Sequence, residues 1–255
     1  MEHVTSADGT RIAYERSGAG PPLVLVHGSL NDRNAWGAVA PAFRAQFTVF
    51  AMDRRGRGES GAPHEHELAR QFEDVAAVID AAGEPVDLIG HSYGARCALG
   101  AAAMIPERVK HLVLYEPPAL SRDRVAVALN FESMDPKDAV AKFAERAIGL
   151  TPKEIAALRS TPFFDYLASF AATMPFEGRA LLNDEFVPAR FAALKMPALF
   201  LVGSLTKDLL GDVLRQLAPY MTQAEWYEFE GQGHGASFTA PQLFADVVLR
   251  FVGDK

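Results

Sequence analysis

The chain has 255 residues, 49% of them apolar and 22% charged, which is enough to bury a full core as one globular domain with an insertion. A formal charge of −7 and a pI near 5.5 argue against a nucleic-acid backbone as partner, since such binding needs a net basic face to release counterions. Cys97 is the single cysteine, so no intramolecular disulfide forms, and with no export segment or spanning-length apolar run visible the expectation is a cytoplasmic protein with no membrane partner.

In chain order, Asp8-Gly9 is a tight-turn dipeptide that predicts a hairpin, residues 11–16 alternate, and Pro21-Pro22 leads into a buried strand over residues 23–26. A second strand-like run covers residues 47–52. Between residues 65 and 82, Leu68, Phe72, Val75, Val78, Ile79 and Ala82 recur at helical spacing, and Gly83 stops the helix. Residues 86–90 read as a short buried strand, 93–105 as a helix of small residues packed on a sheet, and 109–115 as the next strand, which Pro117-Pro118 ends.

From about residue 121 to 187 the pattern turns helical, without strand-like runs. Thr151-Pro152-Lys153-Glu154 combines an N-cap, a first-turn Pro and a capping-box Glu. This predicts a helical cap, 121–187, inserted into a core of 1–120 and 188–255. Alternation resumes with a strand over residues 196–203, a helix near 212–217, a strand over 225–229 and a final helix after Thr239. Strands alternating with helices imply an α/β fold with a mostly parallel, doubly wound sheet.

The candidate nucleophile is Ser92, in Gly90-His91-Ser92-Tyr93-Gly94 between a predicted strand and a helix of small residues. Glycines on either side permit a sharp strand-to-helix turn that projects the serine hydroxyl from the sheet. A serine hydroxyl needs a base near neutral pH, and His234, in Gly231-Gln232-Gly233-His234-Gly235, is placed downstream to supply it. An oxyanion needs preorganised backbone donors, for which Ser29 N–H and Tyr93 N–H are the candidates. His27 reads as a residue that orients the loop. His64-Glu65-His66-Glu67 lacks a distant ligand and reads as a solvated loop, so no metal is expected.

These pieces resemble the α/β-hydrolase superfamily over nearly the whole chain. The resemblance rests on Val26-His27-Gly28-Ser29, Asp53-Arg54-Arg55-Gly56-Arg57-Gly58-Glu59-Ser60, the turn at Ser92, Pro197-Ala198-Leu199-Phe200-Leu201-Val202-Gly203, and Gly233-His234. It implies an eight-stranded α/β-hydrolase sheet with an inserted cap, a Ser-His-acid triad and no cofactor. Asp53, Arg54, Arg55 and Arg57 then read as a structural strand-exit loop, of the solvated kind that charge clusters usually mark.

The chain departs from the common pattern at the acid. Many relatives place an Asp three residues after the glycine equivalent to Gly203, where this sequence has Thr206; the nearest acid is Asp208. A second position in the superfamily follows the strand after the nucleophile, and there Glu116 stands, as in some haloalkane dehalogenases and the zearalenone-type lactonases. Glu116 is favoured over Asp208 because a carboxylate at a strand end has a fixed direction.

The expected reaction is covalent hydrolysis of a small or medium apolar ester, or a lactone, with activity falling toward acid as the base takes up a proton. Leu30, Trp36, Phe163 and Phe164 are the expected pocket residues, and Phe131, Phe143, Tyr166, Phe170, Met174 and Phe176 add an apolar lining or pack the cap. The competing readings are a receptor that binds a small molecule without turning it over, or a cofactor-free lyase or cyclase on the same scaffold. A monomer or homodimer is expected.

Overall fold

Runs of branched and aromatic residues too short for helices form the centre of the molecule. The computed structural model describes residues 1–62, 67–118, 131, 133–206 and 208–253, the side chains of 208–211 excepted. Its strands are β1 (Glu2–Thr5), β2 (Arg11–Gly18), β3 (Pro22–Val26), β4 (Thr48–Met52), β5 (Val86–His91), β6 (Val109–Tyr115), β7 (Ala198–Gly203) and β8 (Ala224–Phe229). They form one eight-stranded sheet in the order β1-β2-β4-β3-β5-β6-β7-β8. β1 and β2 form the expected antiparallel hairpin, β2 runs antiparallel to β4, and the remaining pairs are parallel.

The central strands β3 and β5 are buried along their whole length, because helices cover both faces of the sheet. Alternate residues feed two cores, one of which takes in Phe43 of helix α1 (Ala40–Arg44). Val24, Val26, Leu88, Leu112, Leu114 and Phe200 pack under helices α2 (Leu68–Ala81) and α3 (Tyr93–Met104) and against Val213, Leu214 and Leu217. Leu23, Leu25, Ile89, Val113 and Leu199 face Trp36, Phe43, Phe244 and Val248 on the other side. From β3 the chain moves to β4 on one side and then returns to β5 on the other. The strand order therefore reverses beside β3 and β5, where open α/β sheets form their ligand crevice at the carboxyl ends.

Between β6 and β7, the described residues form the helices Pro136–Phe143, Pro152–Arg159, Pro162–Ala168 and Met174–Asn183, with no strand among them. Each has a proline in its first turn, where the missing N–H has no intrahelical partner to lose. The capping box at Thr151 and Glu154 is formed. Phe131, Ala139, Val140, Phe164, Ala171 and Met174 make a third apolar cluster that takes in Leu30 from the core.

Two element boundaries differ from expectation. The helix expected near 212–217 begins four residues earlier, at Asp208. The chain after His234 is not all loop: a short helix, Ala236–Thr239, precedes the final helix Pro241–Gly253. The helix expected from residue 65 is described from Leu68, and His64 and His66 lie outside the described residues, as do 119–130 at the start of the insertion. Among the described residues no group of three or more potential metal ligands occurs, and no helix is long and apolar enough to cross a membrane.

Candidate active site

Three non-glycine residues have left-handed backbone among those described: Leu30 (φ +54°), Ser92 (φ +54°) and Glu116 (φ +47°). Such residues cost on the order of 1–3 kcal/mol each and persist where the surroundings force them. They follow three neighbouring strands: Ser92 and Glu116 come directly after β5 and β6, and Leu30 lies in the loop after β3. The strain therefore converges on one end of the sheet, at the crevice.

Ser92 turns β5 into α3 with φ +54° and ψ −125°. The turn works because Gly94 has no side chain: a Cβ there would lie 2.3 Å from the Val26 carbonyl oxygen and 2.4 Å from that of His27. Gly28 is tight as well, since a Cβ would lie 3.0 Å from the Ser92 Cβ. The loop after β3 thus lies directly against the serine. Ser92 N–H donates to the Tyr115 carbonyl at 2.8 Å, fixing the turn to the end of β6.

The imidazole arrives from the far end of the sequence. His234 Nδ1 lies 2.5 Å from Glu116 Oε2, with Glu116 fully buried and His234 8% exposed. The other carboxylate oxygen, Oε1, accepts from Gly203 N–H at 2.7 Å, so both oxygens are held and the carboxylate has a fixed direction. With a carboxylate at Nδ1 that nitrogen carries the proton, which leaves Nε2 as the basic one. The His91 ring lies against the His234 ring, centroids 4.6 Å apart and planes tilted by 40°, and His91 Nε2–H donates to the His234 carbonyl at 2.9 Å. Burial, and then the charge of His234, push the His91 pKa well below the ordinary histidine range, so His91 is a neutral donor.

Tyr115 ties the serine and histidine segments together. Its carbonyl holds Ser92, while its hydroxyl donates to the Gly233 carbonyl and accepts from Ala236 N–H at 3.1 Å, spanning the histidine loop from both sides. Sequence reading assigned Tyr115 and His91 no role. Their contacts are long-range, so no local pattern marks them.

The expected oxyanion donors sit at the same place. Ser29 is partly exposed and follows Gly28; Tyr93 begins α3 and is buried. The neighbouring charge cluster is not the solvated loop expected. Asp53, Arg54, Arg55 and Arg57 are at most 3% exposed, each with partners that make burial tolerable. Asp53 pairs with Arg33 and accepts from Glu59 N–H, while Arg55 pairs with Asp74 and Asp8. Arg54 and Arg57 both donate to Glu177 Oε1, at 2.5 and 2.8 Å, and Glu177 comes from the inserted helix Met174–Asn183. Burial pushes the Glu177 carboxyl up, but the two guanidiniums outweigh this and hold it well below the usual carboxylate range.

The expected pocket residues divide. Leu30 and Phe164 are buried in the cluster joining the insertion to the core. Phe163 is 40% exposed, stacked on Tyr166 at 5.9 Å and touching Phe238, just past the histidine loop, at 5.9 Å. Trp36 stands apart: it is buried in the core beneath the sheet, edge-on to His91 at 6.5 Å and beside Phe244. At 2% exposure its ring packs against that of His91. Tyr166 O–H donates to Asp32 at 2.7 Å, a second tie between insertion and core. Thr206, where many relatives place the acid, buries a hydroxyl with no hydrogen-bond partner among the described residues. Asp208 opens its helix, but its side chain lies outside the described residues.

This arrangement is similar to known proteins along its length. Residues 23–247 match the model of the alpha/beta hydrolase family. A putative carbamate hydrolase of Azorhizobium caulinodans is 27% identical, over 94% of this chain and 94% of its own. Among solved structures, an alpha/beta hydrolase from Sphaerobacter thermophilus is 33% identical with a TM-score of 0.83, covering 98% of this chain and 100% of that one. The esterase RhEst1 from Rhodococcus is 26% identical with a TM-score of 0.80, covering 99% and 98%. A hydrolytic role is thereby supported, and the chain belongs to the alpha/beta hydrolase family.

Proposed function

We propose that the protein hydrolyses carboxylic esters of small to medium apolar substrates through an acyl-enzyme on Ser92. The observation that carries this reading is the buried His234–Glu116 contact beside the strained serine turn. His234 Nε2 removes the Ser92 proton as Oγ attacks the ester carbonyl, and the imidazolium that forms is stabilised by Glu116. The amides of Ser29 and Tyr93 hold the oxyanion. The tetrahedral intermediate collapses, His234 protonates the leaving alkoxide, and the acyl group stays on Oγ. Water, deprotonated by the same imidazole, then attacks the acyl carbonyl and releases the acid and free Ser92. Proton and charge balance within the triad, so no cofactor is called on.

The inserted segment, 121–187, acts in this reading as a lid. Phe163, Tyr166 and Phe170 form an aromatic series that reaches Phe238 beyond the histidine loop, an apolar wall suited to an acyl or alkyl chain. A lactone is the second reading, supported by the acid's place after β6, the position that zearalenone-type lactonases resemble. The test is turnover of p-nitrophenyl butyrate and of a simple lactone by the wild type and Ser92→Ala. The expected result is turnover of the ester, or of both, lost by roughly 10⁴-fold or more in the variant. Wild-type turnover that survives Ser92→Ala would overturn the mechanism, and binding without turnover would favour a receptor.

A further inference from the structure

The loop that carries the proposed oxyanion donor is held from behind. The Gly28 carbonyl and the Ser29 N–H belong to one peptide unit, and resonance couples its two ends. Gly28 O accepts two hydrogen bonds: from Arg54 Nη2 at 3.0 Å and from His27 Nδ1 at 2.8 Å. Arg54 also fixes which His27 nitrogen carries the proton. Its backbone N–H donates to His27 Nε2 at 3.1 Å, so Nε2 is the acceptor and Nδ1 the donor. Arg54 Nε donates to the His27 carbonyl at 2.9 Å, and Arg54 Nη1 to Gln71 at 2.7 Å. Gln71 in turn donates to the Tyr93 hydroxyl at 2.9 Å, and the guanidinium lies over the Tyr93 ring at 4.6 Å. One buried cation therefore touches both segments that supply the oxyanion donors. Its charge is balanced by Glu177, which Arg57 shares.

We propose that Arg54 is a positioning residue for the oxyanion hole, gripping the Gly28 carbonyl so that the Ser29 N–H is aimed and polarised toward the developing oxyanion. This rests on the hydrolase reading above. A cationic donor on a carbonyl draws density through the amide and makes the N–H at the other end a stronger donor. The effect grows with charge on the substrate oxygen, so it acts on the transition state more than on bound substrate. Glu177 anchors the guanidinium and links the insertion to the same peptide.

The test compares a p-nitrophenyl ester with its thionoester, whose sulfur accepts hydrogen bonds weakly, in the wild type, Arg54→Lys and Glu177→Gln. In Arg54→Lys, kcat on the ester is expected to fall about 10- to 100-fold, a smaller loss than removing a donor outright, with KM changed far less. The ester-to-thionoester ratio should shrink by a similar factor. Glu177→Gln keeps Arg54 and an acceptor for it but removes the counter-charge, so the ratio should shrink less than in Arg54→Lys. An unchanged ratio in Arg54→Lys, with both rates falling together, would mean a structural role only and overturn the inference. Should Arg54→Lys not fold, the Gly28 carbonyl ¹³C resonance of the wild type decides: a strongly hydrogen-bonded downfield position is expected, and an ordinary loop value overturns the inference. Wild-type protein without Ser92-dependent ester turnover would instead overturn the hydrolase reading itself.

Discussion

At the scale of single residues, the site is a set of side chains whose freedom has been removed. Glu116 spends one oxygen on Gly203 N–H and the other on His234 Nδ1, and its backbone, at φ +47°, is tied to β7 by its N–H donating to the Leu201 carbonyl at 3.2 Å. Glu116→Gln keeps the shape and an acceptor for Gly203, but loses the charge that stabilises an imidazolium. The expected outcome is a folded protein with kcat lower by roughly 10³- to 10⁴-fold, against little change in Asp208→Asn, measured by ester kinetics on both variants. The reverse pattern would move the acid to Asp208. Ser92, His234 and Glu116 were marked in the sequence because each sits in a short pattern with a chemical reason, and the structure places Glu116 on His234 Nδ1. Glu177 was not marked: one acid in a helical insertion looks like any surface carboxylate until the fold brings two arginines to it. Arg54 was read as structural, but its burial was not foreseen, because a charge cluster after a strand is usually solvated, whereas here Arg54 and Arg55 find buried carboxylates.

At the scale of elements, the reacting groups belong to segments that meet only at the carboxyl end of the sheet, so their alignment depends on the elements between them. Tyr115, at the end of β6, is the clearest such link: its carbonyl holds the serine turn, and its hydroxyl bridges Gly233 O and Ala236 N. Tyr115→Phe removes the hydroxyl and leaves both backbone groups buried without it. Stability is expected to fall by about 1–3 kcal/mol by urea unfolding, with kcat reduced and KM little affected as the imidazole loses its position. Unchanged kcat would show that the histidine loop holds itself. The strands were legible from short apolar runs bounded by Gly and Pro, within a residue or two at each end. The start of the helix Asp208–Leu217 and the short helix Ala236–Thr239 were less so. The first opens with Leu209 and Leu210, which with Val213, Leu214 and Leu217 keep a helical period, but Gly211 interrupts it and reads as a break; the second is a single turn whose Ala236 N–H is held by the Tyr115 hydroxyl.

For the whole molecule, burial of neutral histidines beside the site ties stability to pH. Burial pushes His27 and His91 well below the ordinary histidine range, with Arg54 adding to the shift at His27 and His234 at His91. The unfolded chain takes up those protons as pH falls below about 6.5 while the folded protein does not, so stability drops from neutral toward pH 5. The slope reaches roughly 1.4 kcal/mol per pH unit for each histidine. Glu177 acts in the same direction further down: its contribution is present above the usual carboxylate range and fades as pH falls through and below about 4. Urea unfolding midpoints are expected to be lower at pH 5.5 than at 7.5, and equal midpoints would contradict buried neutral histidines.

The central claim, that Ser92 is the activated nucleophile, is tested most directly by treating the protein with an organophosphonate and measuring its intact mass and peptide map. The account predicts a single adduct on the peptide containing Ser92, formed with loss of ester turnover and absent in Ser92→Ala. Full inhibition with the adduct on another residue, or turnover that persists in fully labelled protein, would contradict it.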